Sequence, residues 1–155
     1  MTIVRYLTII KNMRKNNAIA LMSRIREQAN KLIVRELRQR GVEGIVPSHG
    51  EIMVHLFAAE ECTMQNLAKQ INRTKPTVTV LIEKLVACGY VVKEKSAEDN
   101  RVTLIKLTAK GWELKPIFEV ISAKMNAIVY QGLCEEEAEM LEKVLTQING
   151  NLDKV

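Results

Sequence analysis

Side chains that can donate hydrogen bonds to phosphate oxygens and base edges are concentrated in two short segments. The segment 73–84 carries Arg73, Thr74, Lys75, Thr77, Thr79 and Lys84. The segment 93–101 carries Lys93, Lys95 and Arg101. Ammonium and guanidinium groups bind phosphates, and hydroxyl groups serve either phosphates or bases. These residue types indicate contact with a nucleic acid, although Thr74 and Thr79 could instead cap or pack a helix.

The distribution of charge supports the same interpretation. The net charge is +5, and residues 63–110 contain nine Lys/Arg against four Asp/Glu. Residues 1–62 contain ten against six, whereas residues 111–155 contain four against eight. Positive charge confined to part of a chain is the electrostatic footprint expected for phosphate binding. A solvated basic surface is the alternative explanation.

No group of residues in the sequence suits catalysis. The chain has no glycine-rich phosphate loop, no HExxH motif and no nucleophile elbow. Ser48 stands beside His49, but we interpret it as a helix cap, with Glu51 three residues later completing a capping box. We therefore expect a protein that is not an enzyme.

The two histidines give little support for a metal site. His49 and His55 are six residues apart, which places them about 120° from each other around a helix. Glu51 and His55 could share a metal with Cys62 or Glu60, but polar packing is the favoured interpretation. We expect neither a metal nor another cofactor.

Three cysteines without a CxxC motif indicate free thiols in a cytoplasmic protein. Cys62 and Cys88 are interpreted as small buried residues and Cys134 as a poor helix cap, with redox sensing as a minor alternative. No stretch reaches the roughly 18 apolar residues of a membrane span, and the N-terminus does not resemble a signal peptide. The sequence therefore predicts no membrane association.

Two short helices must position the first group of donors. Thr63 is a candidate N-cap for a helix whose apolar residues Met64, Leu67, Ala68 and Ile71 share one face. Thr74 and Pro76 are suited to the start of a second helix, which Gly89 ends. Its apolar stripe is Val78, Leu81, Ile82 and Leu85, so Pro76, Thr77, Val80, Glu83, Lys84 and Ala87 point away from the core. Residues 63–88 thus predict a helix-turn-helix.

A hairpin follows the two helices. Val91, Val92 and Lys93 favour a strand, and residues 96–100 are polar and suited to a turn. Residues 101–107 return as the second strand, and Thr108 caps a further helix. The pattern predicts a mainly α-helical protein with a small β-hairpin wing at 91–107, which is a winged helix-turn-helix over residues 42–111.

The run DNRVTLIKLTAKG resembles the wing signature of the MarR family (multiple antibiotic resistance regulator), with matches at Asp99, Arg101, Leu107, Thr108 and Gly111. Leu85 and Gly89 match the exit of that family's recognition helix. The resemblance extends over about residues 18–152. It implies a transcriptional regulator whose recognition helix reads the major groove. It also implies that Arg101 binds in or near the minor groove and that Asp99 orients its guanidinium group.

Val80 departs from the family pattern, which often has arginine at this position. Valine cannot bind guanine through two hydrogen bonds, but it can contact the methyl group of thymine. We therefore expect an operator with A·T-rich half-sites.

Apolar helices flank the predicted DNA-binding module on both sides. Residues 3–14 and 19–37 have helical periodicity, and residues after Thr108 continue as a long helix that Pro116 should kink. The last helix starts near Glu135, closes near Gly150 and has an apolar stripe at Ala138, Leu141, Val144, Leu145 and Ile148. In the family that this chain resembles, such helices form a homodimer. We expect residues 1–41 and 112–155 to act this way within a single MarR-type domain, 1–155.

The resemblance also implies control by a small aromatic effector, with Met53, Phe57 and Trp112 as candidate pocket residues. The complete prediction is a dimeric, ligand-responsive repressor that binds an inverted-repeat operator in double-stranded DNA. The alternative is a winged helix that binds another protein and has no specific DNA site. Weak, sequence-independent and strongly salt-sensitive DNA binding would distinguish that alternative.

Overall fold

The computed structural model describes residues 17–153, which form seven helices and three strands. The helices are α1 (Ala18–Gln39), α2 (Pro47–Ala59), α3 (Met64–Gln70), α4 (Lys75–Ala87), α5 (Ala109–Trp112), α6 (Lys115–Val129) and α7 (Glu135–Leu152). The strands are β1 (Glu61–Thr63), β2 (Val91–Lys95) and β3 (Thr103–Leu107). The mainly α-helical fold with a small hairpin is confirmed. The helix predicted over 3–14 lies outside the described residues.

Strand β3 is the centre of an antiparallel sheet with the order β1-β3-β2. In the predicted hairpin, Val91 pairs with Leu107 and Lys95 pairs with Thr103. Strand β1 was not predicted, since residues 60–62 were expected only to lead into the helix-turn-helix. Cys62 pairs with Ile105, and three residues are too few to show a strand period in the sequence. This strand depends on its pairing with β3.

A hydrophobic core fixes the orientation of α4. Ile52 and Leu56 from α2, Leu67 from α3 and Ile105 from β3 have no exposed surface. The same core contains the buried residues of α4, namely Val78, Ile82 and Leu85. These are residues of the predicted apolar stripe. Because one face of α4 is held in the core, the opposite face must point outwards.

The ends of several helices follow local chemistry. The hydroxyl of Thr63 accepts a hydrogen bond from the N–H of Asn66 at 3.1 Å, which confirms Thr63 as the N-cap of α3. Gly89 has a φ of 75° just after α4, as expected for a residue that ends a helix.

Three other predicted boundaries are wrong. Helix α2 begins at Pro47, so Ser48 lies inside the helix and is not its cap. The long kinked helix predicted after Thr108 is two helices, and Pro116 lies in the first turn of α6, where its missing N–H breaks no helical bond. Gly150 lies within α7 because the helix continues to Leu152.

Contacts within the chain define two compact units, with the boundary between Phe118 and Glu119. In the second unit no residue of α7 is buried. Leu141, Val144 and Leu145, which belong to the predicted apolar stripe, are 36%, 44% and 41% exposed. The periodicity correctly identifies an apolar face, but burial also requires a surface that covers it. Across residues 17–153, no helix is both long enough and apolar enough to cross a membrane.

Candidate nucleic-acid interface

Helix α4 and the turn before it hold the first group of predicted donors at the surface. Five of them are exposed and Thr79 is half-buried; the exposed five are Arg73, Thr74, Lys75, Thr77 and Lys84. Val80 lies on the same face and is 58% exposed. Six of these seven residues are exposed, and we call the seven together the α4 face.

Several hydroxyl groups of the α4 face are engaged within the protein. The Oγ1 atoms of Thr74 and Thr77 form a hydrogen bond of 2.9 Å. The hydroxyl of Thr79 donates to the carbonyl of Lys75 at 2.9 Å. Thr74 occupies the predicted N-cap position, but its side chain makes no capping bond. Thr74 and Thr79 thus use part of their hydrogen-bonding capacity within the protein, as the alternative role of capping or packing would require.

Ion pairs distinguish the basic residues of this region. Lys93 pairs with Glu83 of α4, and Arg73 lies 4.0 Å from Glu51. Lys106 bridges Glu61 at 2.9 Å and Glu94 at 3.1 Å across the sheet. Within the part of the chain that the structure describes, no ion pair with an acid involves Lys75, Lys84, Lys95 or Arg101. These four cations are therefore better suited to bind phosphate than Lys93 is.

Asp99 shapes the tip of the wing through the backbone. Its Oδ1 accepts a hydrogen bond of 2.8 Å from the backbone N–H of Arg101. Its carbonyl accepts another, of 2.9 Å, from the N–H of Val102. The resemblance implied that Asp99 would orient the guanidinium of Arg101, but the bond observed is to the main chain. A short carboxylate side chain readily forms such a turn, and this turn leaves the side chain of Arg101 exposed.

The base of the wing is joined to the end of α4 by the residues of the motif LTAKG. The hydroxyl of Thr108 donates to the carbonyl of Gly89 at 2.7 Å and accepts from the N–H of Gly111 at 3.0 Å. The ammonium of Lys110 donates to the carbonyl of Cys88 at 2.8 Å. Lys110 was not predicted as a functional or structural residue, although it lies inside the motif LTAKG. These bonds fix the wing relative to α4.

The three candidate effector residues differ in accessibility. Met53 has no exposed surface, because it packs in the core. Phe57 and Trp112 come together, with ring centroids 6.1 Å apart, and Phe118 lies 5.4 Å from Phe57 in an edge-on arrangement. Phe118 was not predicted from the sequence, because its contact with Phe57 forms only when α2 packs against the start of α6. Phe57, Trp112 and Phe118 thus form an aromatic cluster, and the effector role of Met53, Phe57 and Trp112 stays a prediction.

His49 is buried at the start of α2. Its Nδ1 accepts a hydrogen bond of 3.2 Å from the N–H of Val46, the N-cap of α2, so His49 makes the bond to the N-cap N–H that was expected from Glu51. Its Nε2 is buried without a geometrically satisfactory partner in the described structure. Burial, reinforced by the positive charge of Lys84, lowers the pKa of His49, against an opposing effect of the Gly44 carbonyl. The polar packing favoured for this histidine is what the structure shows.

The lowered pKa of His49 predicts a loss of stability in mild acid. In the unfolded chain, His49 binds a proton below its ordinary pKa of about 6.5. In the folded protein the lowered pKa keeps the imidazole neutral to a lower pH. The free energy of unfolding should therefore fall between pH 7.5 and pH 5.5, with at most about 1.4 kcal/mol from this residue. Urea unfolding of wild type and His49→Gln measures this, because glutamine still accepts from Val46. An equal loss in both proteins would contradict the assignment.

The cysteines show no arrangement for metal binding. Cys62 is buried, which raises the pKa of its thiol, whereas Cys88 is half-buried and Cys134 is exposed. Cys88 is thus less buried than expected. Among residues 17–153, no three His, Cys, Asp or Glu side chains are grouped in a way that could hold a metal ion.

A helix-turn-helix with an exposed second helix and an adjoining wing defines a winged-helix protein of the DNA-binding type. The sequence profile of the MarR family matches residues 45–103. The HTH-type transcriptional regulator YdgJ of Bacillus subtilis (strain 168), itself uncharacterised, is 28% identical over 112 residues, or 72% of this chain and 68% of YdgJ.

Several solved structures share the fold. The MepR–DNA complex of S. aureus is 26% identical, with a TM-score of 0.79 over 86% of this chain and 97% of MepR. The transcriptional regulator SlyA is 18% identical, with a TM-score of 0.79 over 90% of this chain and 96% of SlyA. A mutant MarR from E. coli, complexed with operator DNA, is 18% identical, with a TM-score of 0.75 over 88% and 96% of the chains. Residues 45–103 thus match the MarR family, and the chain is similar in fold to the solved regulators MepR, SlyA and MarR.

Proposed function

We propose that this regulator is a sequence-specific repressor that binds an inverted-repeat operator as a homodimer. Each subunit would place α4 in the major groove and the tip of the wing, with Arg101, in the neighbouring minor groove. The observation that carries the proposal is the α4 face, which the core holds outwards and whose cations Lys75 and Lys84 form no ion pair with an acid among residues 17–153. The similarity to MepR, solved bound to DNA, supports it.

Exposed apolar residues on the flanking helices support the homodimer. Ile19 and Ile25 of α1 are 65% and 58% exposed, and Met140 of α7 is 57% exposed. Apolar side chains in such numbers favour burial against a second subunit. A two-fold dimer would present two copies of α4, so the half-sites should lie about one helical turn of DNA apart. We also propose that the protein is cytoplasmic, because the operator that it would bind is chromosomal DNA.

We further propose that a small aromatic acid or phenol binds against Phe57 and Trp112 and weakens DNA binding. An effector acts in this way only if it binds the DNA-free conformation more tightly than the DNA-bound one. Trp112 is the single tryptophan of the chain, so its fluorescence reports on this site. Titration with benzoate and with phenol should change that emission and lower operator affinity. A change in emission without loss of affinity would contradict the regulatory role.

The test of DNA recognition is fluorescence anisotropy with the DNA immediately upstream of the protein's own gene, compared with a scrambled duplex at several salt concentrations. Specific binding should persist at salt concentrations that abolish binding to the scrambled duplex. Footprinting of a bound fragment gives the spacing of the half-sites. The same comparison should be extended to duplexes selected from random DNA. Equal and strongly salt-sensitive affinity for every duplex would favour the alternative, a winged helix that binds another protein. The exposed apolar side chain of Val80 would suit such a protein contact.

A further inference from the structure

The polar groups of the α4 face are arranged unevenly along the helix. At its N-terminal end, Lys75 and the hydroxyl pair of Thr74 and Thr77 are exposed. Only one hydrogen is used in that pair, so a hydroxyl hydrogen remains for a DNA acceptor. This end of α4 therefore retains donors that can bind phosphates or bases.

Near the middle of α4, two polar side chains are engaged in contacts within the protein. The hydroxyl of Thr79 is turned back to the carbonyl of Lys75 at 2.9 Å. The carboxylate of Glu83 is paired with Lys93 of the wing strand β2, which makes it a poor acceptor for the amino group of cytosine. Between these two residues stands Val80, which is 58% exposed.

Val80 is a large apolar side chain held outwards on a rigid helix. Its neighbours Val78 and Ile82 are fully buried, so the helix cannot rotate to hide it without emptying the core. Within the major groove, the 5-methyl group of thymine is the apolar feature that such a side chain can contact. The charged groups nearby, Lys75 and Lys84, can bind the phosphates on either side.

We propose that Val80 is a specificity-determining residue that recognises the 5-methyl group of thymine in each half-site. This inference rests on the proposed DNA-binding function and adds to it the chemical group that is read. The operator would accordingly contain a thymine at the position opposite the middle of α4. Specificity there would come from apolar contact instead of from a hydrogen bond to a base edge.

The test replaces single thymines of a verified operator by uracil, which lacks only the methyl group and keeps every hydrogen-bonding group. Substitution of the symmetry-related pair opposite Val80 should weaken wild-type binding by about fifteenfold, which is about fourfold for each of the two methyl groups. Val80→Ala should bind the thymine and uracil operators almost equally. Val54→Ala is the matched control, since Val54 is an equally exposed helical valine of α2, at 54%.

The outcomes separate this inference from the proposed function. Failure to find any specifically bound duplex would overturn the proposed function itself. Specific binding that no thymine-to-uracil exchange weakens would overturn only the role of Val80. The role of Val80 would also be overturned if Val80→Ala distinguished the thymine operator from the uracil operator as strongly as wild type and Val54→Ala do.

Discussion

Arg101→Ala should weaken operator binding at least about tenfold while the melting temperature stays within about 1 °C of wild type. Arg101 is exposed at the tip of the wing and forms no ion pair within residues 17–153, so its charge is available to the minor groove or its phosphates. The turn that presents it depends on its backbone N–H, which alanine retains. Anisotropy and thermal unfolding at one protein concentration measure the two effects.

The control for charge is Arg24→Ala, which removes an equivalent exposed cation from α1. If Arg24→Ala weakened binding as much as Arg101→Ala, the effect would be one of net charge and the wing would have no special role. Asp99→Asn tests the backbone contact, because the amide oxygen can accept the same bond from Arg101. Near-normal affinity is expected; a loss equal to that of Arg101→Ala would indicate that the carboxylate acts on the guanidinium.

Gly111→Ala should lower the free energy of unfolding by about 3 kcal/mol, which is a fall in melting temperature of about 6–12 °C for a chain of this size. A Cβ atom at Gly111 would lie 2.1 Å from the carbonyl oxygen of Tyr90 and 3.1 Å from a methyl group of Leu107. The carbonyl belongs to the main chain, so the junction between α4 and the wing must shift. Denaturant unfolding at matched protein concentration measures the loss.

Gly150→Ala is the matched control for this prediction. Gly150 is also helical, but a Cβ atom there would meet nothing within 4 Å. That substitution should therefore be neutral or stabilising by up to about 1 kcal/mol. Equal effects of the two substitutions would show that the contact between Gly111 and Tyr90 does not constrain the fold.

Together, the two predictions separate the two tasks of the wing motif. Asp99 and Arg101 form the tip that we propose contacts DNA, whereas Thr108 and Gly111 join the wing to the end of α4. Arg101→Ala should impair binding without unfolding, and Gly111→Ala should destabilise the fold. The five residues by which the sequence resembles the family therefore include both functional and structural positions.

Local sequence patterns were sufficient to predict the main helices, some of their ends and their buried faces. The apolar period of Val78, Ile82 and Leu85 gave the buried face of α4, and Thr63 and Gly89 gave helix ends, because such signals depend on residues within one or two turns. The exposed position of Val80 followed from the same period. The wing motif indicated the class of protein, since its residue types and spacing are unusual enough to identify a family.

Tertiary structure decided the contacts between residues that are distant in the chain. Three contacts join elements that no local sequence pattern relates to each other. They are the pairing of β1 with β3, the ion pair of Lys93 with Glu83 and the packing of Phe118 on Phe57. Local geometry also changed expected roles, as when His49, instead of Glu51, bonded to the N-cap N–H of α2 and Asp99 bonded to the main chain. Secondary structure is set by nearby side chains, whereas the partner of an exposed charge or ring is chosen only when the elements pack.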